Sequence, residues 1–166
     1  FETGEDKIAI VETDKYYAEF STKGGSLIKF EVKGFKTWDG YPVQLLQLQK
    51  GGELNILFNS TEGKLINTKH LYFNSSYKAW DKINVRGNEE YKIVYELPID
   101  SNGAKITKTF TFKNDSYMFG VEVGLENSGK YISNFEYQLA WENSLKLTEY
   151  RSDGEGSHAQ AFAEMG

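Results

Sequence analysis

An all-β fold, an antiparallel β-sandwich, is what the sequence predicts. Aromatic residues make up 15% of the chain, with 11 Tyr, 11 Phe and 3 Trp, and such side chains favour strands. Only two prolines interrupt them. Apolar side chains recur with period two in a series of short stretches, and turn-forming residues separate those stretches.

The elements follow in order. Residues 1–7 are a polar lead-in around FETGED. KIAIVET and YYAEFST are strands divided by the turn-prone Thr13-Asp14-Lys15. Gly24-Gly25 then reverses the chain, and beyond it Ile28, Phe30 and Val32 alternate with Lys29, Glu31 and Lys33. WDGYPVQLLQLQKGGE is rich in loop residues, and LNILF is a short, fully buried strand. Weak strands are expected around KHLYF and KINVR, among Asn, Ser and Gly.

From residue 91 the pattern sharpens. YKIVYELPI, AKITKTFTF, YMFGVEVGL and ISNFEYQLAW follow at short intervals, joined by DSNG, KNDS and NSGK, each with turn chemistry. Tyr117, Phe119, Val121, Val123 and Leu125 form one face of their strand. Phe135, Tyr137, Leu139 and Trp141 form one face of the next. Glu122, Asn134, Glu136 and Gln138 lie opposite, on a wet face. The tail SHAQAFAEM has helical composition. No repeat of fixed period is present.

A chain of 166 residues with 39% apolar and 26% charged content suits one soluble globular domain with a substantial core. The net charge of −5 excludes nucleic acid as a main partner, because phosphate binding needs a dense basic footprint. There is no cysteine, hence no disulfide and no thiolate metal site. No apolar run reaches the roughly 20 residues of a membrane-spanning helix. The chain opens at Phe1 with no signal peptide and stops at AFAEMG. It is therefore expected to be a piece of something longer, with a single sandwich domain over 8–166 cut at its C-terminal side.

Catalytic patterns are weak. His70 and His158 stand far apart, without a partner at ligand spacing, and read as loop or surface residues. Glu89, Glu90, Glu122, Glu136, Glu142, Asp153 and Glu155 could supply a carboxylate pair, but acidic residues on alternating strand positions belong to a solvated face. Ser157 adjoins His158 in the glycine-rich SDGEGSHA, where neighbours do not aim at one another. Neither a nucleophile elbow nor a phosphate loop occurs. An amphipathic strand follows Gly24-Gly25 in place of a helix, so the pair is read as a tight turn with no ligand. Trp141 falls in phase with core residues. Trp38 and Trp80 stand in loop-like segments, where stacking against a sugar stays open. No catalytic, cofactor-binding or metal residue is therefore assigned, no cofactor is expected, and the partner-binding surface is unassigned.

Several stretches, in order, resemble the periplasmic domain of the bacterial membrane protein insertase YidC. They are VETDKYYAEFSTKGGSLIKFEVKGF with its glycine-pair turn, YPVQLLQ, GAKITKTFTFKNDSYMFGVEVGLEN with its G-x-x-x-x-K-T-F-x-F strand, FEYQLAW and AFAEMG. Their order carries the resemblance over residues 8–166, most securely at 16–35 and 103–127. It implies a twisted β-supersandwich of the galactose-mutarotase-like kind, periplasmic and attached to an inner-membrane protein of a Gram-negative cell. It also implies a non-catalytic role that assists insertion and folding, through contacts with the Sec translocon (SecDF) or with nascent membrane proteins. The sugar chemistry of mutarotases is not carried over, since His70 and His158 match no such pattern. A carbohydrate-binding sandwich is the alternative, and it requires Trp38 or Trp80 in a concave polar cleft.

Overall fold

The computed structural model describes residues 3–46, 51–143 and 145–146. Eleven strands, in three sheets, run through these residues. The first sheet has the order β4-β3-β2-β1-β7 and is built from β1 (Ile8–Glu12), β2 (Tyr16–Ser21), β3 (Ser26–Lys36), β4 (Pro42–Gln44) and β7 (Asp81–Asn84). The second sheet, β10-β9-β8, uses β8 (Glu90–Pro98), β9 (Lys105–Lys113) and β10 (Phe119–Glu126). A small third sheet, β11-β5-β6, joins β5 (Asn55–Asn59), β6 (Leu65–Asn67) and β11 (Gln138–Ala140).

The expected sandwich is present, and aromatic side chains hold it together. Phe20 on β2 meets Phe110 and Phe112 on β9 with ring centroids 4.7 and 5.2 Å apart. Phe119 on β10 lies 5.7 Å from Phe30 on β3. Tilted and edge-on rings at these spacings add to the area they bury. On β9 the alternation is complete: Ile106, Lys108, Phe110 and Phe112 are buried, while Thr107, Thr109 and Thr111 are half-buried.

Three expectations need correction. The sheets are not wholly antiparallel, because the KINVR stretch enters as β7 and pairs parallel to β1. A chain that crosses over before pairing can arrive in either direction, and strand-level periodicity carries no direction. KHLYF is not a strand: Thr68–His70 form a 3-10 turn in which the Asn67 side chain accepts from the Lys69 N–H at 2.9 Å. Only single bridges, Lys23 with Tyr72 and Asn74 with Glu96, follow that turn.

ISNFEYQLAW likewise keeps only the three residues of β11, preceded by two 3-10 turns, at Ser128–Lys130 and Ser133–Phe135. Asn127 and Asn134 sit at φ 48° and 56°, a left-handed backbone that asparagine tolerates and a strand cannot hold. The aromatic row Phe135, Tyr137, Leu139 and Trp141 is consequently exposed, and Trp141 is not a core residue. The row predicted on β10 does face inward: Phe119, Val121, Val123 and Leu125 pack on the core, though Tyr117 lies outside the strand and is exposed. The helical tail falls outside the described residues.

Candidate functional site

Two places stand out, and only the first is built from residues that the sequence singles out. At the first, the glycine pair closes the β2–β3 hairpin, whose last pair is Ser21 with Ser26. Gly24 and Gly25 have φ +73° and +52°, the left-handed region that glycine enters without penalty. The Gly25 N–H donates to the Thr22 carbonyl at 3.2 Å, and the Gly24 N–H to the Leu71 carbonyl at 2.7 Å.

The Gly24 carbonyl has a partner that sequence reading missed. Lys108, buried at the centre of β9, donates from Nζ to the Gly24 oxygen at 2.7 Å and to the Leu54 oxygen at 2.8 Å. Its ammonium also stands 5.2 Å from the Phe73 ring centre. Burial pushes its pKa down to about 7. The glycine turn and the K-T-F-x-F strand thus meet through one side chain. The signal was in the sequence: Lys108 lies in phase with Ile106, Phe110 and Phe112, so a lysine occupies a core position. The turn is full, since a Cβ on Gly24 would stand 2.7 Å from Asn55 Oδ1, and one on Gly25 3.2 Å from Phe73.

The second place is an open cleft of about 370 Å³ between the second and third sheets. Phe58, Ile66, Leu71, Leu97, Ile106 and Tyr131 give it apolar walls, and Ser60, Thr61, Glu62 and Lys64 form a polar rim. β6 and β8, which border it, are both edge strands of their sheets. The Tyr131 wall is fixed by its hydroxyl, which donates to Asp100 Oδ2 at 2.7 Å, and by the Thr61 N–H, which donates to the Tyr131 carbonyl at 3.0 Å. The Tyr131 hydrogen bond, joined by backbone N–H groups of Ala104 and Asn102, holds the Asp100 carboxyl below its usual range. The same bond raises the Tyr131 hydroxyl. Such a cleft can bind apolar side chains, and edge strands offer backbone groups to an extended partner.

The remaining candidates do not assemble. His70 is exposed and lies at the rim of a smaller cleft with Asp6 and Lys69. Glu89, Glu90, Glu122 and Glu136 are exposed. Glu142 instead accepts from Asn67 at 2.9 Å and pairs with Lys69 at 3.3 Å. Among the described residues no group of three His, Cys, Asp or Glu could hold a metal. Asp153, Glu155, Ser157 and His158 lie outside those residues. Trp38, Trp80 and Trp141 are exposed and line neither the cleft nor its two smaller neighbours. The concave aromatic site that sugar binding requires is not formed at these places.

The YidC periplasmic domain family matches residues 9–163. The chain belongs to that family. The YidC insertase of Chloroherpeton thalassium is 33% identical over 166 residues, and that of Chlorobium phaeovibrioides 35% over 166. Each match covers nearly the whole chain, 100% and 98%. The chain spans only 28% of the length of either relative. Membership makes it the periplasmic domain of an inner-membrane protein. The YidC resemblance read from residue order therefore holds, and the segments that carried it, Gly24-Gly25 and K-T-F-x-F, form a joint of the scaffold. Among the described residues no helix is long and apolar enough to cross a membrane.

Proposed function

We propose that this YidC periplasmic domain is a non-catalytic docking module. Its cleft between β6 and β8 takes an extended apolar segment, from a membrane protein under insertion or from the SecDF subunits of the Sec translocon. The observation that supports this reading is an apolar cleft bordered by two edge strands. A partner strand could pair with an edge while placing alternate side chains against Phe58, Ile66 and Tyr131. The polar groups of its rim are held at the edge, with Lys64 and Glu62 paired at 3.2 Å, and the apolar walls suit contact with a partner's side chains.

Site-specific photo-crosslinking in the full-length insertase tests this. A photoreactive residue at Ile66 or Ile99 should give adducts with nascent membrane proteins or SecDF, while one at exposed Glu122 on β10 should give few. Equal yields at all positions would contradict a cleft-based contact.

A further inference from the structure

We propose that a second surface, at the far end of β3, seats in the headgroup region of a phospholipid bilayer. Two hairpin ends meet there. The end of β3 and the β3–β4 connection expose Phe35, Trp38 and Tyr41 by 57%, 63% and 69%, and the β9–β10 connection exposes Tyr117 and Met118 by 47% and 79%. Phe35 and Tyr117 touch edge-on with ring centres 6.1 Å apart, which joins the exposed side chains of the two hairpin ends. A patch of this kind on a soluble surface marks an interaction site.

The tip is preorganised. The Thr37 N–H donates to the Tyr41 carbonyl at 2.8 Å, and the Gly40 N–H to the Thr37 carbonyl at 2.9 Å. Thr37 Oγ1 also accepts from the Tyr41 N–H at 3.1 Å and bonds the Asp39 carboxylate. Little ordering entropy is then lost when the tip is buried.

The composition selects the occupant. Trp and Tyr prefer the boundary between hydrocarbon and headgroup, where the ring is buried and the polar atom stays wet. Lysines ring the patch: Lys36 and Lys113 are exposed, and Lys15 lies 5.5 Å from the Tyr117 ring centre. Asp39 and Asp115 belong to the same two connections, and Asp14 accepts from the Asn114 side chain in the second, so the charge is mixed and the aromatic contacts dominate over attraction to anionic lipid. Membership in a membrane protein family keeps this domain beside a bilayer at high local concentration. The inference does not rest on the cleft.

Vesicles of phosphatidylethanolamine and phosphatidylglycerol test it. In the 166-residue chain carrying Trp80→Phe and Trp141→Phe, Trp38 is the sole tryptophan. Its emission should shift to the blue on vesicle addition and be quenched by lipids brominated on the acyl chain. Phe35→Ser with Trp38→Ser in the parent chain should lower vesicle flotation about tenfold or more. The urea midpoint of that variant should match the parent, which shows that folding is intact. Unchanged Trp38 emission at saturating vesicles overturns the proposal, as does equal flotation of the two proteins. A blue shift that depends on protein concentration without lipid would assign the patch to a second copy, and overturn it too.

Discussion

The two ends of β3 are built from similar sequence and do different work. At the inner end, Thr22-Lys23-Gly24-Gly25 turns the chain with positive φ at both glycines; at the outer end, Gly34 and Gly40 also take positive φ, +84° and +86°. The inner turn is packed under Phe73 and tied by Lys108, whereas a Cβ on Gly34 or Gly40 would meet nothing within 4 Å. The inner end is scaffold, and the outer end is surface. A glycine in a turn reports the backbone angle alone, and only the surroundings tell which role it serves.

Mutations can break this comparison, and the largest effect falls at the inner end. Lys108→Ala should cost about 4 kcal/mol, because it leaves a cavity, a buried carbonyl at Gly24 and a half-buried one at Leu54 without their donor. Urea unfolding measures it, and a loss smaller than that of a surface lysine would refute the joint. Gly24→Val should cost about 3 kcal/mol, from left-handed strain together with the clash at Asn55. Gly40→Val, with the same kind of φ and open space, should cost only about 1 kcal/mol. Similar melting temperatures for the two valine variants would erase the distinction.

A smaller effect tests the sheet edge near β7. Glu12 lies 2.7 Å from Lys33 Nζ and 2.6 Å from Lys82 Nζ. Its hydrogen bond to Lys33, then that to Lys82, holds its carboxyl down to about 2 against an ordinary 4.5. A carboxyl lowered in the folded state contributes stability above its unfolded pKa and loses it as pH falls from about 4.5 towards about 2. Solvent screens this pair, so Glu12→Gln should remove less than about 1 kcal/mol at neutral pH, and acid unfolding of the variant should begin from a lower plateau.

Much of the fold was legible because period-two alternation is local. β1, β2, β3, β8, β9 and β10 each lie close to the stretch that predicts them. What was not legible is non-local or depends on backbone angles. β7 looks like any short strand, and its parallel pairing with β1 depends on a crossover. The row from Phe135 to Trp141 has strand periodicity, yet left-handed Asn127 and Asn134 interrupt the chain around it and leave those rings in water. At the site, the glycine turn was foreseen and its partner was not. A cation in core phase at Lys108 was the clue, and its two acceptors, at Gly24 and Leu54, lie 84 and 54 residues away in sequence. The cleft could not be foreseen either, because Phe58, Ile66, Leu97 and Tyr131 converge only once the second and third sheets are assembled.

Stability against pH, measured in parallel on the parent chain and on Lys108→Met, tests the inner joint most directly. Burial lowers the folded pKa of Lys108 to about 7, while the unfolded lysine keeps its ordinary 10.5. Between those values the unfolded chain holds a proton that the folded one has released, so stability rises with pH. The parent should gain stability from about pH 7 to about pH 9, on the order of 1 to 3 kcal/mol, and Lys108→Met should show none of that rise. Parallel profiles for the two proteins would mean that burial against the Gly24 turn does not release the Lys108 proton, which contradicts the account of the inner joint.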